Sequence, residues 1–271
     1  MRLNNKVVII TGASSGIGKA LAYQFALQGA NLVLGARQHV TLCEIAQDIE
    51  KQTQAKALAV QCDVTVEADC AALIKQTLLT FGKIDILINN AGISMRALFK
   101  DVELNVLKSL MDVNFWGTVY CTRYALPEIV KTQGSIVGVS SIAGYKGLPG
   151  RAGYSASKYA MNGFMDALRV ENLKTGVHIM VACPGFTASN IRNTALDKDG
   201  TQQGESTLEE DKMMTSEEVA RKIVDGVIHR KRTLVMTFQG KLTVLLSKFL
   251  PAFLDKQVYK VFAREKNALL K

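Results

Sequence analysis

Tyr154 and Lys158 are separated by four positions in a segment whose pattern predicts a helix. Residues four apart lie on one face of a helix, so the ammonium group would lie beside the phenol. A neighbouring positive charge favours tyrosinate and lowers the pKa of a phenol from about 10 toward neutrality. Such a phenol can protonate a developing alkoxide or accept a proton from an alcohol. Ser141 follows a predicted strand and could donate a hydrogen bond to the same oxygen atom.

A glycine-rich segment between an apolar run and an amphipathic run could bind a pyrophosphate. It reads Thr11-Gly12-Ala13-Ser14-Ser15-Gly16-Ile17-Gly18. Gly12 allows a sharp turn, Gly16 lets the backbone approach a pyrophosphate, and Gly18 lets the helix pack closely on a sheet. The first turn of that helix presents N–H groups and a partial positive charge to the phosphates. The spacing differs from both the G-x-G-x-x-G fingerprint and the P-loop, and an ordinary glycine-rich turn is the alternative interpretation.

The end of the second predicted strand bears on the choice between NAD and NADP. An NAD site usually has an acidic residue there, which binds the ribose 2′-hydroxyl. This chain has Gly35-Ala36-Arg37 instead, and its first acidic residue is Glu44. A guanidinium suits a 2′-phosphate in charge and geometry. The sequence therefore favours NADP(H), with Arg37 as the discriminating residue and Ser14 as a hydroxyl partner, and a solvated surface charge is the alternative for Arg37.

Short β-branched runs alternate with helix-length segments, which predicts a doubly wound α/β fold of the Rossmann type. Predicted strands cover residues 6–11, 31–36, 57–61, 84–89, 135–139, 178–183 and 233–237, which makes a parallel sheet of about seven strands. Predicted helices cover residues 16–28, 41–52, 65–80, 107–130, 154–175 and 216–230. Eight evenly spaced β/α units are not visible, so a closed barrel is not expected. We predict one oxidoreductase domain over residues 1–240, including a polar lid over residues 187–215, and an extension over residues 241–271.

Three motifs together resemble the short-chain dehydrogenase/reductase family over about residues 6–237: the glycine segment, Asn89-Asn90-Ala91-Gly92, and Tyr154-Ser155-Ala156-Ser157-Lys158. The family has a serine 13 positions before the tyrosine, which matches Ser141, and an asparagine on the preceding long helix, which matches Asn114. The resemblance implies that a nicotinamide exchanges hydride with the substrate and that Tyr154 is the acid or base. It also implies that Lys158 binds the nicotinamide ribose and that Asn114 positions a water in the proton relay.

The resemblance extends to further cofactor contacts. Residues of the segment after the sixth strand would lie over the nicotinamide: Pro184, Gly185, Thr187 and Ser189. Four more would line the adenine and ribose pocket, for which packing at strand ends is the alternative: Asp63, Val64, Ala91 and Gly92. The resemblance also implies a homo-dimer or homo-tetramer built from the helices over residues 107–130 and 154–175.

The substrate should lie outside the carboxyl ends of the strands, against residues 93–99, 145–151 and 186–214. These segments offer apolar side chains for a pocket: Ile93, Met95, Leu98, Phe99, Leu148 and Phe186. A hydrophobic ketone or aldehyde is therefore the expected substrate. Two alternatives stay open, a 3-oxoacyl-carrier-protein reductase and a non-catalytic nucleotide-binding scaffold. The presence of all four catalytic residues argues against the scaffold.

The charge of the chain is unevenly distributed. The 271 residues carry 33 Lys plus Arg and 24 Asp plus Glu, a net charge of +9, and 48% of residues are apolar, which excludes a disordered chain. Residues 1–229 hold 23 basic and 22 acidic side chains, whereas residues 230–271 hold 10 and 2. This distribution does not favour nucleic acid. It predicts that the extension either contacts an anionic membrane surface or caps the core or the substrate mouth.

Other features predict a cytoplasmic protein, with peripheral contact at a membrane surface as the alternative. No run approaches 18 apolar residues, and the first residues do not resemble a signal peptide. The five cysteines are scattered without a C-x-x-C pair, and the three histidines have no ligand spacing, so we expect no disulfides and no metal site.

Overall fold

The computed structural model describes residues 3–188, 191, 193–204, 213–264 and 267–270. The strands in this part of the chain are β1 (Val7–Thr11), β2 (Asn31–Ala36), β3 (Ala57–Gln61), β4 (Ile86–Asn89), β5 (Ser135–Val139), β6 (His178–Cys183), β7 (Thr187–Ala188), β8 (Met214–Thr215) and β9 (Thr233–Val235). The α-helices are α1 (Gly16–Leu27), α2 (His39–Gln52), α3 (Glu67–Phe81), α4 (Leu104–Met111), α5 (Gly117–Thr132), α6 (Ala152–Glu171), α7 (Ser216–Ile228), α8 (Phe238–Phe249) and α9 (Pro251–Phe262).

Seven strands form one parallel sheet in the order β3-β2-β1-β4-β5-β6-β9, which confirms the predicted doubly wound fold. Strands such as β1 are buried along their whole length, because helices cover both faces of the sheet. Val8 and Ile10 belong to the core with α1, α2 and α7, and Ile9 belongs to the core with α3, α5 and α6. The strand order reverses between β1 and β4, and a crevice at the carboxyl ends of the strands opens at such a point.

The helix predicted over residues 107–130 is interrupted in the structure. A π-helical turn, Asp112–Trp116, separates α4 from α5 and contains Asn114. Single π-helical turns within α-helices often occur at functional sites. The prediction of one continuous α-helix was therefore wrong at this turn.

The described part of the predicted lid is joined to the loop after β4. Leu196 forms β-bridges with Met95 and Gln202. The Leu196 N–H donates to Ser94 O at 2.9 Å, and the Arg96 N–H donates to Leu196 O at 2.8 Å. β7 and β8 pair in parallel at the two ends of the lid. This segment is therefore held to the neighbouring loop by backbone hydrogen bonds, which its polar, aperiodic sequence did not predict.

Helices α8 and α9 follow the last strand, and α8 begins at Phe238, three positions before the predicted start of the extension. Thr237 caps α8 by accepting a hydrogen bond from the Gly240 N–H at 3.0 Å. Leu254 and Phe262 on α9 are buried. Within the described residues, none of the helices has the length and apolar content needed to cross a membrane.

Candidate active site

A cavity of about 950 Å³ lies at the carboxyl ends of the strands. It extends from the glycine turn after β1 to the described part of the lid. Most of the sequence-predicted site residues line it: Gly12, Ser14, Ser15, Gly16, Ile17, Gly18, Arg37, Asp63, Val64, Asn90, Ala91, Gly92, Ser141, Tyr154, Lys158, Pro184, Gly185 and Thr187. Asn114 lies behind the wall of the cavity, and Ser189 lies outside the described residues.

The turn between β1 and α1 is closely packed. A Cβ atom at Gly12 would lie 2.8 Å from Ala91 Cα, and one at Gly18 would lie 2.1 Å from Gly12 O. Both positions therefore require glycine. The Ser15 side chain makes no capping hydrogen bond to α1, and the first turn of that helix has no acidic residue. The N-terminus of α1 can thus direct its N–H groups and its positive end at a phosphate, which fits a dinucleotide.

Asn90 and Thr11 connect this turn to the end of β4. The Asn90 side-chain amide donates to Thr11 O at 2.9 Å, and Thr11 Oγ1 accepts from the backbone N–H groups of Asn90 and Ala91 at 3.0 Å each. These bonds hold the two strand ends at the switch point together, so Asn90 positions the backbone that lines the cavity.

The adenine end of the cavity has an exposed cation at Arg37. The carboxylate there belongs to Asp63, whose Oδ1 atom accepts hydrogen bonds from the Thr65 N–H at 3.0 Å and the Thr65 hydroxyl at 2.8 Å. One oxygen of Asp63 is therefore held within its own turn. Arg37 follows β2 directly, at the position where the sequence predicts a contact to the ribose.

Tyr154 and Lys158 lie on α6 and both line the cavity. The Lys158 Nζ atom is 5.8 Å from the centroid of the Tyr154 ring and donates a hydrogen bond to Val139 O at 2.9 Å. Val139 ends β5, so the sheet fixes the lysine that accompanies the tyrosine. The arrangement can place a positive charge beside a phenol at the end of the cavity, as the four-residue spacing predicts.

Burial changes the acidity of this lysine. Lys158 is 3% exposed, and desolvation lowers its pKa from 10.5 to about 8. Burial disfavours the charged form of a base, so the ammonium loses its proton more readily than in water. A lysine with a pKa near neutrality is common at catalytic sites.

Asn114 supports the site without lining it. It is fully buried, and its Oδ1 atom accepts from the Ile93 N–H at 2.8 Å. Its side-chain amide donates to Ile93 O at 3.0 Å and to Ser157 Oγ at 2.8 Å. The side chain therefore joins the π-helical turn, the loop after β4 and α6. A role in a proton relay stays a prediction.

Ser141 and Thr187 also have defined partners. Ser141 Oγ accepts a hydrogen bond from the Ala143 N–H at 3.2 Å, because Ser141 caps a short 3₁₀ turn after β5. The Thr187 hydroxyl donates to Gly185 O at 3.1 Å. Ser141 keeps a hydroxyl hydrogen that can be donated to a substrate oxygen.

A model of the family described as short chain dehydrogenase matches residues 6–200 of the chain. This match covers more than half of the sequence and all four predicted catalytic residues. The chain belongs to the short-chain dehydrogenase family. It is therefore an oxidoreductase of hydroxyl or carbonyl groups with a nucleotide-cofactor site.

Curated relatives agree with this assignment. The chain is 35% identical over 263 residues to 11-beta-hydroxysteroid dehydrogenase 1A of Arabidopsis thaliana, a match that covers 93% of this chain and 74% of that protein. It is 35% identical over 239 residues to dehydrogenase/reductase SDR family member 7B of Mus musculus, with 87% and 74% covered. These relatives do not favour the alternative of a 3-oxoacyl-carrier-protein reductase.

Two solved structures show the same fold. A short chain dehydrogenase/reductase from Burkholderia phymatum, in complex with NAD, aligns with a TM-score of 0.81 at 24% identity over 93% of this chain and 96% of that chain. An alcohol dehydrogenase from Thermococcus sibiricus, complexed with 5-hydroxy-NADP, aligns with a TM-score of 0.75 at 23% identity over 86% and 96%.

The substrate end of this dehydrogenase differs in part from the prediction. Ile93, Met95, Leu148 and Phe186 line the cavity, whereas Leu98 and Phe99 do not, and Phe99 is exposed. The sequence analysis did not identify several other lining residues: Arg96, Ser109, Asp112, Val113, Arg151, Ile191, Thr194, Ala195, Leu196, Gln202 and Gln203. Most of them lie in segments that the sequence assigns to the substrate side. Which of their side chains reach the cavity depends on the β-bridges that join the lid to the loop after β4.

The described part of this dehydrogenase contains no group of three His, Cys, Asp or Glu side chains that could hold a metal ion. Four of the five cysteines are buried as free thiols, and Cys43 is partly exposed.

Proposed function

We propose that this short-chain dehydrogenase interconverts a hydrophobic ketone or aldehyde and its alcohol with NADP(H). The observation that carries the proposal is the buried Lys158 beside Tyr154, at the end of a cavity that also contains Arg37 and the glycine turn. A cavity that extends from the turn to the lid can accommodate both an extended dinucleotide and a second molecule.

The side chains that carry the proton chemistry lie on α6 and in the turn after β5. During reduction, the Tyr154 hydroxyl donates its proton to the carbonyl oxygen as that oxygen gains negative charge, and the Ser141 hydroxyl donates a second hydrogen bond to it. The ammonium of Lys158 stabilises the tyrosinate that remains. In the oxidative direction, the tyrosinate form of Tyr154 accepts the proton of the alcohol and becomes the neutral phenol. The nicotinamide, when bound, exchanges a hydride with the substrate carbon.

The preference for NADP(H) is supported by charge at the adenine end. Arg37 follows β2, the position from which a carboxylate would bind the ribose of NAD. A guanidinium can form two parallel hydrogen bonds to a 2′-phosphate, which a hydroxyl cannot match. The Asp63 carboxylate has one oxygen, Oδ1, engaged by two hydrogen bonds from Thr65 of its own turn.

The proposed substrate class is supported by the relatives and by the cavity. Several relatives are named as 11-beta-hydroxysteroid dehydrogenases, which indicates a bulky apolar alcohol or ketone. Ile93, Met95, Leu148 and Phe186 supply apolar surface, and Leu196 adds to it from the lid. Polar residues at the same end would bind a distal oxygen atom of such a molecule.

The experiment is a kinetic comparison of NADPH and NADH with hydrophobic and hydrophilic carbonyl compounds. We expect NADPH and hydrophobic ketones or aldehydes to give the higher kcat/KM. The Arg37→Asp variant should reverse the cofactor preference, whereas Arg221→Asp, a control at an exposed arginine of α7, should not. Preference of the wild-type protein for NADH would contradict the cofactor assignment, and faster turnover of short hydrophilic carbonyls would contradict the substrate class.

We further propose that the protein is a homo-dimer or homo-tetramer that uses α5 and α6. Tyr124 on α5 and Tyr159 on α6 are exposed, as are Val170 at the end of α6 and Leu173 after it. Aromatic side chains are enriched at protein interfaces. Analytical ultracentrifugation should show an oligomer that Tyr159→Glu dissociates, and a monomeric wild-type protein would refute this proposal.

A further inference from the structure

Helix α8 has an apolar stripe that faces away from the protein. Phe238, Leu242, Leu245 and Phe249 follow one another at intervals of four, three and four, which places them on one face of a helix. Their exposed fractions are 83%, 44%, 54% and 72%. A stripe with this spacing is normally the face that a helix buries. Here it is the exposed face, so none of the residues that the structure describes covers it fully.

Helices α8 and α9 form a hairpin, and contacts on the side opposite the apolar stripe fix its orientation. A Cβ atom at Gly240 would lie 2.7 Å from Ile142 Cδ1, so the backbone of α8 lies directly against the turn after β5. On α9, Leu254 and Phe262 are buried, and the Phe262 ring lies 5.0 Å from the Arg151 guanidinium. The inward face therefore holds the hairpin in place, and the apolar stripe cannot turn inward without breaking these contacts.

The turn between the two helices extends the exposed apolar surface. Leu250 and Phe253 are each about half exposed, and Pro251 between them is also exposed. We call the stripe on α8 together with these three residues the hairpin surface. It comprises Phe238, Leu242, Leu245, Phe249, Leu250, Pro251 and Phe253.

Lysines border the hairpin surface. Lys241 and Lys248 are seven positions apart on α8 and lie beside the stripe, and Lys256 and Lys260 lie on the side of α9 that carries Phe253. Within α8 and α9, which the structure describes throughout, the acidic side chain is Asp255, and it forms an ion pair with Lys146 in the loop before α6. The charge available around the hairpin surface is therefore positive. Apolar side chains bordered by lysines are typical of helices that lie in the interface of an anionic bilayer.

We propose that the hairpin surface binds the surface of an anionic lipid bilayer. The aromatic and leucine side chains enter the boundary between headgroups and acyl chains, and the lysines contact the phosphate and carboxylate groups of the lipids. A second copy of this chain is a poorer partner for this surface. A two-fold interface would bring the same patch of each copy together and would gather the four lysines of each chain around one interface.

The test is sedimentation of the full chain with vesicles of phosphatidylcholine alone and of phosphatidylcholine and phosphatidylserine in equal parts. We expect binding to the mixed vesicles that weakens as salt is raised. The variant Leu245→Glu/Phe249→Glu should abolish it, and Lys241→Gln/Lys248→Gln should weaken partitioning about 10-fold or more. A matched control, Leu27→Glu/Leu79→Glu, changes two side chains that are 55% and 77% exposed elsewhere and should bind like the wild type.

Each variant is also compared with the wild type by circular dichroism, melting temperature and turnover with NADPH. These values should stay close to those of the wild type, because the changed side chains are exposed. Absence of binding to the mixed vesicles at low salt would overturn the proposal. So would equal binding by the wild type and the Leu245→Glu/Phe249→Glu variant. A wild-type dimer that this variant dissociates, without any vesicle binding, would instead assign the hairpin surface to a second copy of the chain.

Discussion

Lys158 and Tyr154 carry the chemistry that we propose, and the fold keeps the lysine in an unfavourable environment. The ammonium is buried, with one hydrogen bond to Val139 O, and its pKa is lowered to about 8. The folded protein therefore binds this proton less strongly than the unfolded chain, in which the pKa is 10.5. Below pH 8 the buried charge lowers the free energy of unfolding, and this cost disappears as the pH rises toward 10.5.

The first prediction is that Lys158→Met stabilises the cofactor-free protein at neutral pH while it removes activity. We expect a gain of about 2 kcal/mol at pH 7, after allowance for the lost hydrogen bond to Val139. Urea unfolding of both proteins between pH 7 and pH 10 measures this gain. The difference should shrink as the pH rises. A variant that is less stable at pH 7, or a difference that does not change with pH, would contradict this account.

The sequence predicts the residues of this site better than their contacts. The spacing of Tyr154 and Lys158 on one helix follows from local pattern, and Ser141 follows from the resemblance to the family. The hydrogen bonds of Asn114 to the backbone of Ile93 connect residues 21 positions apart and are not visible in any local pattern. The same holds for Gln203, which donates a hydrogen bond to Arg96 O across 107 positions.

At the scale of elements, the seven strands of the main sheet were predicted well because most of them are short apolar runs, whereas β7 and β8 in the polar lid were not predicted. The helix over residues 107–130 was not predicted well, since its π-helical turn contains a side chain that bonds to another loop.

A group of charged residues lies at the amino-terminal ends of the strands, opposite the cavity. Asp85, which is 2% exposed, pairs with Lys6 at 2.8 Å and Lys83 at 2.9 Å, and it accepts the Val7 N–H at 2.9 Å.

These partners hold the pKa of Asp85 below its usual value, although burial alone would raise it. The stabilisation is therefore present above the unfolded pKa of about 3.9 and is lost as the pH falls through the lower folded value. We predict that Asp85→Asn lowers the free energy of unfolding at pH 7, because it removes the charge that pairs with both lysines. The loss should be only about 1–2 kcal/mol, because both lysines are partly exposed and solvent screens them.

Urea unfolding at pH 7 and at a series of acidic pH values tests this second prediction. The difference between the two proteins should shrink as the pH falls below the usual pKa of an aspartate and through the lower folded pKa of Asp85. Turnover should not change, because Asp85 precedes β4 at the amino-terminal ends of the strands and the cavity lies at their carboxyl ends. An unchanged stability gap at low pH, or a loss of turnover in a folded variant, would refute the assignment.

At the scale of the whole molecule, the last residues reach the substrate end of the cavity. Arg151 lies against Phe262, and Arg96 donates a hydrogen bond to Asn267 O at 2.6 Å. Leu269 lies so close to Gly150 that a Cβ atom there would be 2.7 Å from it. The extension therefore packs against the loops that line the substrate end. Composition revealed its charge and apolar content, but its contacts join residues more than 100 positions apart and could not be predicted.

The third prediction concerns this packing. Phe262→Ala should raise the KM for the carbonyl substrate about fivefold, because Arg151 loses its support. The affinity for NADPH should not change, since the glycine turn and Arg37 lie at the other end of the cavity. Val261→Ala, at an exposed neighbouring position, is the matched control. Equal effects of both variants, or a change confined to cofactor binding, would show that the extension does not shape the substrate end.

The central claim is that the Tyr154 hydroxyl transfers the proton to and from the substrate oxygen. The most direct measurement is carbonyl-dependent oxidation of NADPH by the wild type and by Tyr154→Phe, with cofactor binding followed by fluorescence titration. We predict that the variant binds NADPH like the wild type and turns over about 10²–10⁴-fold more slowly. A folded variant that retains turnover within about tenfold of the wild type would contradict the claim.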